Sequence, residues 1–259
     1  NDCAVALAEA VAGSEQAFVE RMNARAKELG MNDTTFKNAT GLPADGHVTS
    51  AYDIALMSRE LILNHPDIRQ YTTIWMDTLR DGTSQLVNTN KLIRQYEFAT
   101  GLKTGSTSLA KYCVSATAEK DGLELIAVVM AAPDYKVRFA DATTLLNYGF
   151  GKCRLYTDEN TDALPDLPVT KGTETAVGLA YDSPFSYLSV KGEDLSDVKK
   201  EQILPETVTA PVRKGDVAGR VVYSAGGREL GSVNIRYTAD VHAASYRDYF
   251  KMALFYLLT

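Results

Sequence analysis

The sequence predicts an α+β protein: an antiparallel sheet with flanking helices and a helical subdomain, followed by a small β-sandwich and a C-terminal amphipathic helix. Three observations predict it. Helical and strand periodicities alternate in blocks through residues 1–152, short proline-punctuated runs replace them over 153–240, and residues 241–259 form an aromatic, charge-poor end. These ranges are the three expected domains.

The chain opens on Asn1-Asp2-Cys3-Ala4 and an alanine-rich stretch that favours helix. Phe18, Met22, Ala26 and Leu29 then recur at helical spacing, with Gly30 where a C-terminal cap belongs. Ser50 with Asp53 reads as a capping box opening another helix, whose buried face is expected to hold Ile54, Met57 and Leu61. After Asn64-His65-Pro66, residues 72–79 are strand-like and Asp81-Gly82 turns the chain. Residues 112–118 and 123–130 form a predicted hairpin joined at Asp121-Gly122, and residues 134–149 a helix packed on that sheet.

From about Lys152 the texture changes. Pro165, Pro168, Pro184, Pro205 and Pro211 separate short alternating runs, and Ala225-Gly226-Gly227-Arg228 supplies a hairpin turn. A helix over residues 241–258 places Arg247, Asp248 and Lys251 on one side. Tyr246, Tyr249, Phe250, Ala253, Leu254 and Leu257 then make a broad apolar face. Such a helix is too short and too polar at its start to span a bilayer but suits its interface; packing on the β-rich domain is the alternative.

With 259 residues, 45% of them hydrophobic, the chain has material for about two domains. A net charge of -6 argues against nucleic acid as a partner. Cys3, Cys113 and Cys153 lack metal-ligand spacing and read as buried thiols, with Cys3 the one placed for access. His47, His65 and His242 lie far apart and read as surface histidines, so no metal and no cofactor are expected. Trp75 and the tyrosines read as core fillers or as surfaces that grip glycan. Thr89, between Asn88 and Asn90, either touches substrate or satisfies a turn.

The chemistry-bearing motif is Lys103-Thr104-Gly105. An ammonium, a hydroxyl and a residue without a side chain, side by side on a strand, make a grip for a small carboxylate beside a reactive carbonyl. Glycine lets a ligand lie close to the backbone, where the N–H of Ser106 can face an oxyanion.

Together with Asn1-Asp2-Cys3, Leu29-Gly30-Met31, Ala44-Asp45-Gly46, Ser50-Ala51-Tyr52-Asp53, Asn88-Thr89-Asn90 and the run from Leu145 to Phe150, this triplet gives the chain a family texture. It resembles the penicillin-binding proteins and serine β-lactamases, whose motifs are Ser-x-x-Lys, Ser-x-Asn and Lys-Thr-Gly. The branch it is most similar to is the D-alanyl-D-alanine carboxypeptidases, densely over about the first three-fifths of the chain. The resemblance implies a β-lactamase/transpeptidase-like fold, a β-rich stalk and a membrane-associated C-terminal helix. It also implies a serine enzyme that trims the peptidoglycan stem pentapeptide ending in D-Ala-D-Ala through an acyl-enzyme, outside the cytoplasm. β-Lactam antibiotics would be its inhibitors.

On that resemblance Asn1 is the asparagine of Ser-x-Asn and bonds the substrate amide. Lys103 and Thr104 hold the terminal carboxylate, Gly105 admits it, and Ser106 gives its N–H to the oxyanion hole. Arg138 supports the carboxylate site, an exposed helix arginine being the other reading. The family's Ser-x-x-Lys is expected on a missing N-terminal segment that carries the nucleophile. Ser108-Leu109-Ala110-Lys111 and Ser196-Asp197-Val198-Lys199 read as surface residues. A non-catalytic wall-associated remnant of the same fold and a β-lactamase are the alternatives.

Overall fold

A computed structural model describes residues 1–258, apart from the side chains at positions 252, 253 and 255–258. The chain divides into two compact units, Asn1–Lys152 and Cys153–Thr259.

In the first unit, helix α1 (Asp2–Ala12) stops where Gly13 turns left-handed at φ 82° and donates its N–H to Glu9 O. Helix α2 (Glu15–Glu28) starts at Ser14, whose hydroxyl accepts the Ala17 N–H at 3.1 Å. Gly30, at φ 77°, stands one residue past the cap, as its place in the sequence predicts. Helix α3 (Ala51–Asn64) is capped by Ser50, which accepts the Asp53 N–H at 3.2 Å.

The buried face of α3 differs from the expected Ile54, Met57 and Leu61. Asp53, Ser58 and Ile62 are buried, and Met57 is exposed. The reason is tertiary: Asp53 accepts hydrogen bonds from Asp33 N and Thr34 Oγ1, and Ser58 Oγ meets Ser115 Oγ at 2.7 Å. Paired polar groups can be buried where unpaired ones cannot.

A 3-10 turn (Pro66–Ile68) leads to the short helix α4 (Arg69–Thr72), then to a ribbon of β1 (Met76–Leu79) and β2 (Ser84–Val87) paired Met76 to Val87. The strand expected over 72–79 is thus shorter, because Thr72 closes α4 and gives its hydroxyl to Thr100 O. Helix α5 (Leu92–Gln95) precedes the antiparallel sheet β3 (Ala99–Thr107), β4 (Lys111–Lys120) and β5 (Leu123–Ala132), in that spatial order. Helix α6 (Tyr135–Lys152) covers one face. Val114, Ala116 and Ala118 of β4 pack there with Phe139, Ala142 and Leu146. The small residues permit close approach: a Cβ on Gly149 would sit 2.6 Å from Leu125 Cδ1. On the opposite face of β4, Ser115 ties the sheet to α3.

The second unit is β-rich. Strands β6 (Arg154–Asp158), β7 (Leu167–Thr170), β8 (Ala176–Val177), β9 (Leu179–Tyr181) and β10 (Phe185–Ser189) come first. They are followed by β11 (Lys199–Ile203), β12 (Val208–Thr209), β13 (Val217–Ala225) and β14 (Arg228–Tyr237). The largest sheet runs β11-β13-β14-β9, with smaller sheets β12-β7-β8 and β10-β6. Gly226 and Gly227, both at positive φ, make the two-residue turn between β13 and β14 that the sequence predicts.

The last helix, α7, spans Tyr246–Leu258 and so starts later than position 241. Val241 is buried and bridges Val212, Ala243 bridges Gly172, and Ser245 donates to Asp248 Oδ2 to open the helix. Tyr246, Tyr249, Phe250 and Leu254 are exposed, Tyr246 at 90%. The expected apolar contributions of Ala253 and Leu257 lie outside the described residues. Among the described residues no helix is long and apolar enough to cross a membrane.

Candidate active site

β3 is an edge strand, paired with β4 on one side only. An edge presents backbone N–H and C=O groups with no strand to receive them, and here it carries the triplet. Lys103 lies opposite Ser115, Thr104 opposite Val114 and Gly105 opposite Cys113. Side chains alternate along a strand, so Lys103 and Gly105 share one face.

A Cβ built on Gly105 meets nothing within 4 Å, and its φ is not positive. Neither packing nor backbone conformation therefore requires glycine at this position. The space over it is open, which is what a ligand approaching the backbone needs.

Lys103 is exposed, yet its ammonium folds back to donate to the Thr104 carbonyl. Desolvation against the strand, and then the positive Arg138, hold its pKa below the ordinary lysine value. Thr104 is nearly buried and its hydroxyl meets Thr89 Oγ1 at 2.7 Å. Ser106 is exposed on the same strand.

Arg138, from α6, is buried at 7% exposure, which corrects the exposed-arginine reading. Its Nη1 donates to Gly105 O at 3.2 Å and Cys113 O at 3.1 Å, so the guanidinium clamps β3 to β4 behind the triplet. Its carbon lies 4.7 Å from the Phe139 ring centre and 5.6 Å from that of Tyr112. Burial lowers its pKa, with Cys113 and Tyr112 acting in the opposite direction. Its Nε is buried without a partner. Among the described residues no carboxylate pairs with Lys103 or Arg138.

The structure thus brings Lys103, Thr104, Gly105, Ser106 and Arg138 together. Asn1 stands at the start of α1, exposed, and its side chain does not cap that helix. Among the described residues no hydrogen bond joins Asn1 to the triplet.

The sequence left undefined the support that Asn88-Thr89-Asn90 gives the site. Asn90, 2% exposed, donates to Gly101 O at 2.9 Å and accepts from Leu92 N, while Asn88 donates to Thr72 O and Ile74 O. Three consecutive short polar residues were the available signal. Cys113 also belongs here, half-buried opposite Gly105, with its thiol on Ala110 O. The expectation of buried thiols does not hold for Cys113 or for Cys153, which is half-buried too, while Cys3 is exposed, in keeping with its place for access. His65 and His242 are exposed, whereas His47 is half-buried, edge-on to Phe36, and its pKa is lowered by burial.

A family model described as D-alanyl-D-alanine carboxypeptidase matches residues 1–134. The chain belongs to the D-alanyl-D-alanine carboxypeptidase family. A model described as the C-terminal domain of penicillin-binding protein 5 matches residues 157–243. Among curated relatives, the D-alanyl-D-alanine carboxypeptidase DacF of Bacillus subtilis is 40% identical over 98% of this chain and 66% of its own length. The Escherichia coli DacC is 32% identical over 89% of this chain and 58% of its own. The chain therefore spans less than two thirds of the length of these relatives.

Penicillin-binding protein 5 from Haemophilus influenzae superposes with a TM-score of 0.65 at 30% identity, covering 92% of this chain and 70% of that one. Penicillin-binding protein D2 from Listeria monocytogenes, solved in a cefotaxime-bound form, gives 0.54 at 38% identity over 58% of this chain and 61% of its own. The expected fold is borne out: a transpeptidase-like α+β unit followed by a β-sandwich domain.

Proposed function

We propose that the chain is the triplet-bearing part of a serine-type D-Ala-D-Ala carboxypeptidase of peptidoglycan, sensitive to β-lactams. One observation carries the reading. An edge strand presents Lys103 and an uncovered Gly105, held from behind by Arg138, with no protein carboxylate to neutralise either cation among the described residues. A terminal carboxylate supplies the missing charge.

In the mechanism, Lys103 and Thr104 receive the carboxylate of the last D-alanine, and Arg138 adds positive potential without touching it. Carboxylate arrival frees the Lys103 ammonium from the Thr104 carbonyl and the Thr104 hydroxyl from Thr89. The scissile carbonyl lies along β3, where the Ser106 N–H stabilises the oxyanion; a donor of this kind is worth about 3 kcal/mol elsewhere. Asn1 orients the substrate amide. The acylating serine is the one the family carries in Ser-x-x-Lys; Ser108, on the β3–β4 turn, and Ser196, in the second unit, are exposed residues given no part in the step. The serine attacks the carbonyl, D-alanine leaves with a proton, and water releases the shortened peptide.

The exposed aromatic side of α7 rests in the outer interface of the cytoplasmic membrane, and the β-rich unit serves as a stalk. Incubation with labelled penicillin, with and without the serine-bearing piece, followed by intact-mass measurement, tests the enzyme reading. An adduct on the serine-bearing piece supports it. Adduct on neither favours a non-catalytic wall protein of the same fold.

A further inference from the structure

The β1–β2 ribbon is unusual in what it leaves uncovered. Every residue of β1 is exposed, and so are three of the four in β2. Met76, Leu79, Leu86 and Val87 are between 46% and 52% exposed. Met76 pairs with Val87, and Leu86 pairs with Asp77 one register step along, so apolar groups occupy both faces of the ribbon. A lone two-stranded ribbon is marginal in water, and soluble proteins seldom leave such a surface without a use.

Beside it stands Trp75, half-buried, with Lys91 Nζ 5.1 Å and the Arg94 guanidinium 5.8 Å from its ring centre. Among the described residues, neither cation pairs with a carboxylate. An indole with two cations over its ring, neither of them paired with a carboxylate among the described residues, fits a ligand that combines flat apolar faces with carboxylates. Sugar rings bearing acidic peptides have that chemistry.

The surface is also joined to the triplet. Asn88 donates its side-chain amide to Thr72 O and Ile74 O and its N–H to Trp75 O, while the next residue, Thr89, bonds Thr104. Lys91 follows Thr89 by two residues, a chain reach of about 7 Å. A polymer engaged at the triplet has the ribbon beside it. We infer that Trp75, Lys91, Arg94 and the β1–β2 ribbon form a docking shelf for the peptidoglycan polymer outside the D-Ala-D-Ala end. The inference rests on the wall-enzyme reading and adds a second contact to it.

Co-sedimentation of the chain with purified peptidoglycan sacculi tests this, using Trp75→Ala and the double variant Lys91→Gln/Arg94→Gln. Each is expected to lower retention about tenfold, with Arg94→Lys retaining most of it and melting temperatures checked alongside. Sacculi stripped of terminal D-alanine separate the shelf from the triplet: retention that persists on them and falls with the variants belongs to the shelf. Unchanged retention in both variants overturns the proposal. So does loss confined to anionic lipid vesicles, which would make the ribbon a membrane surface.

Discussion

Two polar clusters, one in each unit, use similar side chains to opposite ends. In the second unit Tyr223, fully buried, stacks on Phe185 with ring centres 3.8 Å apart and gives its hydroxyl to Asp158 and Asn160. Lys200 bridges Asp158 at 2.9 Å and Asp162 at 2.6 Å. The cation there is paired inside the protein, one ammonium shared by two carboxylates. Around β3, Lys103 and Arg138 donate to backbone carbonyls and repel one another, and the triplet's open side faces solvent. Pairing inside the fold yields stability; withholding the pair leaves a site that a ligand's anion completes.

Breaking the saturated cluster should have the largest effect on folding. Tyr223→Ala is expected to destabilise by about 3–5 kcal/mol, read by urea denaturation. Breaking the open one should instead cost function. Lys103→Ala should change stability by no more than about 0.5 kcal/mol. The same variant should weaken binding of an N-acyl-D-Ala-D-Ala ligand by roughly ten- to a hundredfold, measured by calorimetry. If Lys103→Ala unfolds the protein, the contrast between the clusters fails.

The pH dependence sharpens the same contrast through opposite signs. Burial, then the Asp158 hydrogen bond, pushes the Tyr223 pKa up to about 12 from an ordinary 10.0. Its contribution is therefore complete below pH 10.0 and is lost as pH rises through about 12. Lys103 is shifted down from 10.5, so the unfolded chain binds more protons between the two values. Its share of stability rises with pH through that window. Denaturation curves for Tyr223→Phe and Lys103→Met against pH should each remove one slope. The smallest effect expected is local: Ser50→Ala removes the α3 cap and should cost about 1 kcal/mol, seen as a lowered denaturation midpoint.

What could be read from the sequence was what local chemistry decides. Gly30, Ser50, the Asp121-Gly122 turn and the Gly226-Gly227 turn act within a few residues of themselves, and each lies where it was expected. The triplet was legible because its three functions are adjacent in the chain. Ser58 was not, since its burial depends on Ser115, 57 residues away. Arg138 was missed as a buried cation because its partners are main-chain carbonyls, which no residue identity announces. Val241 looked helical until its bridge to Val212 is known, and the shelf around Trp75 needed the ribbon's exposure to be visible.

The central claim is that the edge strand binds a terminal carboxylate, and amide chemical shifts of residues 103–107 test it most directly. Titration with N-acyl-D-Ala-D-Ala should move these resonances and raise the Lys103 pKa towards its ordinary value, while the same peptide with a terminal carboxamide should do neither. Equal shifts from both peptides, or shifts confined to other parts of the chain, would contradict the account.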